Sequence, residues 1–183
     1  MFEYVLWLVV IQRCVELLLA KKNAAWIKEQ GGYEIGRKHY PLLVAVHVLF
    51  FAGMLLEKEI LHAASPSWWW LPFLGFMLAQ GLRWWCIHSL GPYWNTRIWV
   101  VPGHVPLAKG PYRYLRHPNY VAVIIEFVTL PLAMGAYLTA WIASIINLVL
   151  LLFVRIPAEE RALGETTCYE EIMTGKSRFL PRK

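Results

Sequence analysis

Gly110-Pro111-Tyr112-Arg113-Tyr114-Leu115-Arg116-His117-Pro118-Asn119-Tyr120 crowds cations, a histidine and tyrosine rings directly ahead of an apolar segment. That segment covers 119–135, turns at Met134-Gly135-Ala136 and returns over 138–156, where Arg155 is followed by Glu159, Glu160 and Arg161. Apolar helices joined by so short a turn are antiparallel neighbours. The two polar clusters therefore fall at the same end of a tight helical hairpin. Charge placed twice at one end of a lipid-like pair reads as a site, not as a solvated face.

Composition extends the lipid-like reading to the whole chain. It is 58% hydrophobic, has mean hydropathy +0.43, and carries only 16% charged residues, where a soluble domain has about a quarter. Ten Trp and nine Tyr suit aromatic belts at two membrane interfaces. The net charge of +6 is spread over segments between apolar stretches, which points to membrane lipids or an anionic cofactor as partners and away from nucleic acid. Cys14, Cys86 and Cys168 show no paired spacing and read as small apolar residues. The first residues lack the basic region and A-x-A site of a cleavable signal peptide.

About five segments approach the ~20 residues that a bilayer crossing requires. They are roughly 2–20, 41–57, 68–88, 119–135 and 138–156, and together they predict an all-α integral membrane protein. The chain reads as a single membrane domain, 1–183, with three helices and their loops in 1–90 and a cofactor-binding loop, helical hairpin and tail in 91–183. Basic residues collect in the first loop (Lys21, Lys22, Lys28, Arg37, Lys38), the third loop (Arg97, Lys109, Arg113, Arg116) and the tail (Arg161, Lys176, Arg178, Arg182, Lys183). The second loop, with Glu57, Lys58 and Glu59, and the uncharged turn at 135–137 fall on the opposite side. The positive-inside rule then puts the N-terminus outside and the C-terminus in the cytoplasm, with both polar clusters on the cytosolic face.

Polar groups inside the apolar segments have two readings each. Gln12 and Glu16 share a helix face and Arg13 can pair with Glu16, which predicts a structural clamp. Glu126 is either a packing hydrogen bond or a contact to a substrate headgroup. His47 and His88 lack a second ligand on the same face, so no metal centre is expected. The loop 91–118 is punctuated by Gly91-Pro92, Pro102-Gly103, Pro106, Gly110-Pro111 and Pro118. Such a loop takes an irregular path, tolerated near a membrane where it lines a cavity. Arg116 and Arg155 present forked donors suited to a carboxylate. His117, Tyr112 and Tyr120 add hydrogen bonds and aromatic surface, and Glu159 and Glu160 can meet an amine, a ribose or a sulfonium.

His104-x-x-Leu107-x-x-Gly110-x-Tyr112, then Arg116-His117-Pro118-x-Tyr120, an apolar hairpin, and Arg155 with Glu159-Glu160 and Leu163-Gly164-Glu165 resemble the isoprenylcysteine carboxyl methyltransferase family over roughly 100–183. The resemblance implies a helical membrane enzyme that binds S-adenosylmethionine at the cytosolic face and admits a lipophilic small-molecule substrate from the bilayer. It implies a cofactor pocket formed by His104, Leu107, Gly110, Tyr112, Arg116, His117, Tyr120, Glu159 and Glu160, with Arg116, Arg155 and Glu160 orienting the acceptor. Gly31-Gly32-Tyr33-Glu34-x-Gly36-x-x-His39-Tyr40-Pro41, with His47 and Glu57 after it, resembles a small bacterial branch that accompanies type III polyketide synthases and methylates alkylpyrones. The tail departs from the family. Gly164-Glu165-Thr166-Thr167-Cys168-Tyr169 lacks the first tyrosine of the usual Gly-Glu-x-Tyr-x-x-Tyr, although Arg178-Phe179-Leu180-Pro181 resumes the expected ending.

The implied reaction is in-line methyl transfer to a carboxylate or acidic hydroxyl, with catalysis by positioning in a dry pocket. Two other readings remain open on the residues. One is an NADPH-dependent membrane reductase of related fold, which would bind NADPH. The other is a membrane adaptor, which would bind no cofactor.

Overall fold

The computed structural model describes residues 2–180, so Pro181, Arg182 and Lys183 of the expected tail lie outside the described residues. In chain order the elements are helix α1 (Phe2–Glu29), strand β1 (Tyr33–Ile35), helices α2 (Tyr40–Leu61) and α3 (Trp70–Leu90), strand β2 (Ile98–Val100), and helices α4 (Pro118–Met134), α5 (Tyr137–Leu150), α6 (Ile156–Thr166) and α7 (Tyr169–Met173). Helix α1 continues well past the apolar segment that ends near residue 20, because Ala24 and Ala25 are strong helix formers. It stops at Gly31-Gly32. Helix α5 likewise runs on through a wide turn, Leu151–Arg155, into α6.

The expectation of an all-α chain needs one correction. Strands β1 and β2 pair antiparallel, with Tyr33 opposite Val100, Glu34 opposite Trp99 and Ile35 opposite Ile98. Three-residue strands are too short to show an alternating pattern in a sequence. The ribbon exists because the loop after α3 folds back over the one after α1. Arg97 fastens it, donating to Glu34 at 2.7 Å and lying 4.2 Å above the Tyr40 ring.

Burial is inverted relative to a water-soluble domain. Leu8, Leu18, Leu49, Leu78 and Trp141 are 64%, 68%, 68%, 67% and 70% exposed, while Glu16, Glu57, Arg83, Glu126 and Arg155 are buried. An apolar surface of that extent calls for lipid around it. Two helices among the described residues are long and apolar enough to cross a membrane, α2 and the continuous Tyr137–Thr166. Helix α4, at 17 residues, is roughly 26 Å long and forms the centre, packed by α3 on one side and α5 on the other. Its Phe127 stacks on Phe50 of α2 with ring centroids 4.2 Å apart.

Gly135 and Ala136 alone join α4 to α5. Gly135 has φ +81°, and a Cβ there would stand 2.2 Å from the Ala64 carbonyl oxygen, so the turn requires glycine. The N-terminus of α5 has no cap of its own. Glu57 supplies one. Expected as a loop charge, it is instead buried in α2 and accepts from the Leu138 N–H (3.0 Å), the Thr139 N–H (2.9 Å) and the Thr139 hydroxyl (2.9 Å). A carboxylate there meets orphan donors and the positive end of the helix dipole.

The second buried polar device ties α1, α3 and α4. Arg13 donates to Glu126 at 2.6 and 2.8 Å and to Glu16 at 2.5 Å. Arg83 donates to Glu126 at 2.8 Å and to Glu16 at 3.4 Å. Gln12 bridges Glu16 and Gln80, each at 2.9 Å. Glu126 is thus a packing partner of two arginines, and the expected Gln12–Arg13–Glu16 clamp is part of a larger set.

Glu126→Gln should leave two buried guanidiniums with the single carboxylate of Glu16 between them and cost about 3–5 kcal/mol, seen as a lower Tm and folded yield in detergent. Glu57→Ala, which strands three donors at one helix end, should cost about 1–3 kcal/mol by the same measurement.

Candidate active site

A cavity of about 390 Å³ lies between α1, α2 and the first turns of α4, roofed by residues 93–99 of the long loop. The loop is held there by α1: Asn23 donates to the Trp94 carbonyl at 2.7 Å and Asn95 donates to the Ala20 carbonyl at 2.8 Å. Its lower walls are aliphatic. Leu17, Val44 and Val48 line it yet are 49%, 42% and 60% exposed. The cavity therefore opens sideways between α1 and α2, toward the apolar exterior of the helices.

One wall is a single stripe. Asn147, Leu151, Arg155, Glu159 and Leu163 all line the cavity, each four residues after the last. In a regular helix every such step overshoots a full turn by about 40°, so the stripe would drift away. The wide π-helical turn at Leu151–Arg155 takes more residues per revolution and winds it back. It also precedes Pro157, whose ring would crowd the carbonyl four residues earlier in a regular helix.

The head of the cavity is where the two polar clusters meet, across α4 and α6. Tyr120 donates to Glu159, and Arg155 donates from Nε to the Tyr120 hydroxyl at 2.8 Å and from Nη2 to the Thr96 carbonyl at 3.1 Å. His117 stacks on Tyr120 at 5.4 Å and donates from Nε2 to Glu160 at 3.1 Å. Glu160 also receives Arg178 at 2.5 and 3.1 Å. Partial burial pushes the Glu160 carboxyl up, but hydrogen bonds from His117 and Arg178 outweigh it and hold the group down at about 2.

Of the residues expected at the site, Tyr112, His117, Tyr120, Arg155 and Glu159 line the cavity. His104, Leu107, Gly110, Arg116 and Glu160 are not in its wall. His104 packs on Tyr93 with centroids 4.0 Å apart, behind the lining. Gly110 has φ +53°, and a Cβ there would fall 2.0 Å from the Ser89 hydroxyl, so its place in the motif lets the loop press against α3. Arg116 donates from Nε to the Lys176 carbonyl at 2.8 Å and lies in a shallow depression with Lys176 and Arg178. Arg116 and Glu160 thus act on the tail side of His117, and only Arg155 of the three expected orienting groups faces the cavity.

Several lining groups escaped the sequence. Trp94 Nε1, Trp99 Nε1 and Asn119 Oδ1 are buried in residues of the wall and have no partner among the described residues. The tryptophans read as belt residues, and Asn119 was the unspecified position of a motif. Arg83, which lies outside the wall and pairs with Glu16 and Glu126, was legible in principle as an arginine inside an apolar segment. His47 lines the cavity, with Nδ1 bonded to the Leu43 carbonyl at 2.8 Å, and His88 packs on Trp84 at 4.2 Å.

Buried charge beneath an extended apolar exterior marks a membrane protein. Residues 70–165 match the isoprenylcysteine carboxyl methyltransferase family. The uncharacterized protein YpbQ of Bacillus subtilis (strain 168) is 43% identical over 90% of this chain and 98% of its own length. An uncharacterized protein of Haemophilus influenzae is 34% identical over 83% of this chain and 88% of its own. The chain belongs to the isoprenylcysteine carboxyl methyltransferase family, which makes it, at that general level, a membrane methyltransferase.

The depressed Glu160 gives a pH prediction. Its stability contribution is complete above the ordinary carboxyl value of 4.5 and is lost as pH falls through about 2. The Tm of the native protein should therefore fall between pH 5 and about pH 2 more steeply than that of Glu160→Gln.

Proposed function

We propose that the chain is an S-adenosylmethionine-dependent O-methyltransferase of the membrane, acting on a carboxylate or acidic hydroxyl of a lipophilic acceptor. The supporting observation is the cavity itself, polar at its head and open to the apolar exterior lower down, in a chain of this family. The residues at the head suit the cofactor. Arg155 would offer a cation to its carboxylate, and the Glu159 carboxylate, pinned by Tyr120 and Arg155, would offer negative charge to its sulfonium.

When bound, the cofactor supplies an electrophilic methyl group. The chain's part is to hold the acceptor oxygen in line with it and keep water out. An ionised acceptor oxygen requires no base, and the apolar walls strengthen its attraction to the sulfonium. His117, Glu160, Arg116 and Arg178 brace the head from the tail side and are positioning residues in this reading. Helices α1 to α5 cross the bilayer with the N-terminus outside and the head at the cytosolic face, where the basic loops collect. The acceptor is of the prenylcysteine or long-chain alkylpyrone kind, the latter favoured by the segment from Gly31 to Pro41.

Calorimetric titration of S-adenosylhomocysteine into the detergent-purified protein tests the reading, with NADPH as the comparison ligand. Binding should be lost in Arg155→Ala by about tenfold or more, and Arg116→Ala should cost less because Arg116 is outside the wall. A folded protein that binds NADPH but not S-adenosylhomocysteine would overturn it.

A further inference from the structure

The oxygen that receives a methyl group must be ionised, but an acceptor that enters from lipid arrives protonated. A charged group in hydrocarbon is costly, and the neutral acid is the form that partitions there. Its proton must therefore be taken up inside the cavity. His47 stands on that path. It lines the cavity from α2, and Val44 and Val48, three residues before it and one after, lie at the sideways opening. Phe127 of α4 packs edge-on against the ring at 4.9 Å and stands seven residues after Tyr120. At 1.5 Å per residue the ring is about 10 Å below the head, between the opening and the head.

The ring is set as a base. Nδ1 lies 2.8 Å from the Leu43 carbonyl oxygen, which can only accept, so Nδ1 carries the proton and Nε2 presents a lone pair. Nε2 has no hydrogen-bond partner among the described residues. Unlike Nε2 of His39, it is not sealed among the buried unpartnered atoms, so it keeps surface toward the cavity that the ring lines. The other weak bases of the wall are engaged at the head, His117 with Glu160, and Glu159 with Tyr120 and Arg155. The charged groups that act on His47 are Glu126, Arg83 and Arg13, which with Glu16 form a set of zero net charge. Both terminal nitrogens of Arg13 are held by the carboxylates of that set. Among the described residues this depth therefore lacks a free cation to receive a carboxylate and offers a neutral base instead.

Resting on the methyltransferase reading, we propose that His47 is a catalytic residue, the general base that takes the proton of an acidic hydroxyl on the acceptor. The O–H bond breaks, its electron pair stays on oxygen and the proton passes to Nε2. The oxyanion then forms its bond to the methyl carbon while the carbon–sulfur bond breaks, and that electron pair goes to sulfur. The sulfonium charge is cancelled and the imidazolium carries the positive charge, until it gives its proton to water after the product leaves. Beside the oxyanion the imidazolium also offsets charge where the dielectric is low. Proton transfer is nearly balanced when the hydroxyl is about as acidic as an imidazolium. The enolic hydroxyl of a long-chain alkylpyrone is a group of this kind.

The test uses the full chain in detergent with 4-hydroxy-6-undecyl-2-pyrone as the acceptor probe, N-acetyl-S-farnesylcysteine as the carboxylate comparison, and the variant His47→Gln. Glutamine keeps a donor for the Leu43 carbonyl but is not a base. With S-adenosylhomocysteine bound there is no methyl group to transfer, and the absorbance of the bound pyrone reports its ionisation against spectra taken in acid and alkali. Near neutral pH the native protein should hold the enolate and His47→Gln the neutral enol. With labelled S-adenosylmethionine, His47→Gln should lower kcat for the pyrone about 100-fold near neutral pH, with a smaller change in KM. The gap should narrow as the pH rises and the acceptor ionises in water. Binding of S-adenosylhomocysteine should be unchanged, which also reports that the variant is folded. A neutral pyrone bound to the native protein, an enolate bound equally by His47→Gln, an unchanged kcat, or no transfer to the pyrone by a protein that binds S-adenosylhomocysteine would overturn the inference alone. Transfer to the farnesylcysteine in place of the pyrone belongs with those outcomes. Absence of S-adenosylhomocysteine binding by the native protein would remove the methyltransferase reading beneath it.

Discussion

The charge-balanced set of Arg13, Arg83, Glu16 and Glu126 is the constraint on which the rest of the arrangement depends. Ionised side chains cannot be left alone among apolar helices, so α1, α3 and α4 must meet in the one register that pairs all four. Packing of aliphatic side chains alone would tolerate sliding by a turn, whereas a mispaired guanidinium would not. With α1 fixed against α4, Asn23 and the Ala20 carbonyl reach the loop after α3 and hold it over the cavity.

The wall opposite depends on a different device. Glu57 caps α5 from α2, and Gly135 allows the reversal that sends α5 back along α4. The wide turn before α6 keeps Asn147, Leu151, Arg155 and Glu159 on the cavity side. Arg155 and Glu159 then close on Tyr120, which comes from the first turn of α4. Head and wall are parts of one antiparallel pair, so a change in the turn at Gly135 would be felt at Arg155 through the register of α5.

Much of the fold was legible because apolar length and composition are local signals. The apolar segments, the turn at 134–136 and the placing of the two polar clusters at one end of the pair all come from reading the chain in order, while the contacts of Tyr120 with Arg155 and Glu159 come from the structure. The β1–β2 ribbon did not, since three-residue strands carry no period and pair across more than 60 residues. Glu57 looked like a loop charge because its partners, the amides of Leu138 and Thr139, are remote in the sequence. Of the residues singled out in the sequence, Tyr112, His117, Tyr120, Arg155 and Glu159 line the cavity, while Gly110 serves the close approach to Ser89 and Arg116 with Glu160 packs toward the tail.

By itself the sequence determined a membrane protein of apolar helices with two polar clusters at one end of an antiparallel pair, together with its family. Hydropathy, turn residues and motif spacing are properties of neighbouring residues and survive without a structure. Only the tertiary structure decided which polar groups are paired with each other and which remain buried without a partner among the described residues. Glu126 became a counter-ion and Asn147 an unmet carboxamide because hydrogen-bond satisfaction depends on what other helices bring within about 3 Å, a distance that sequence separation does not encode.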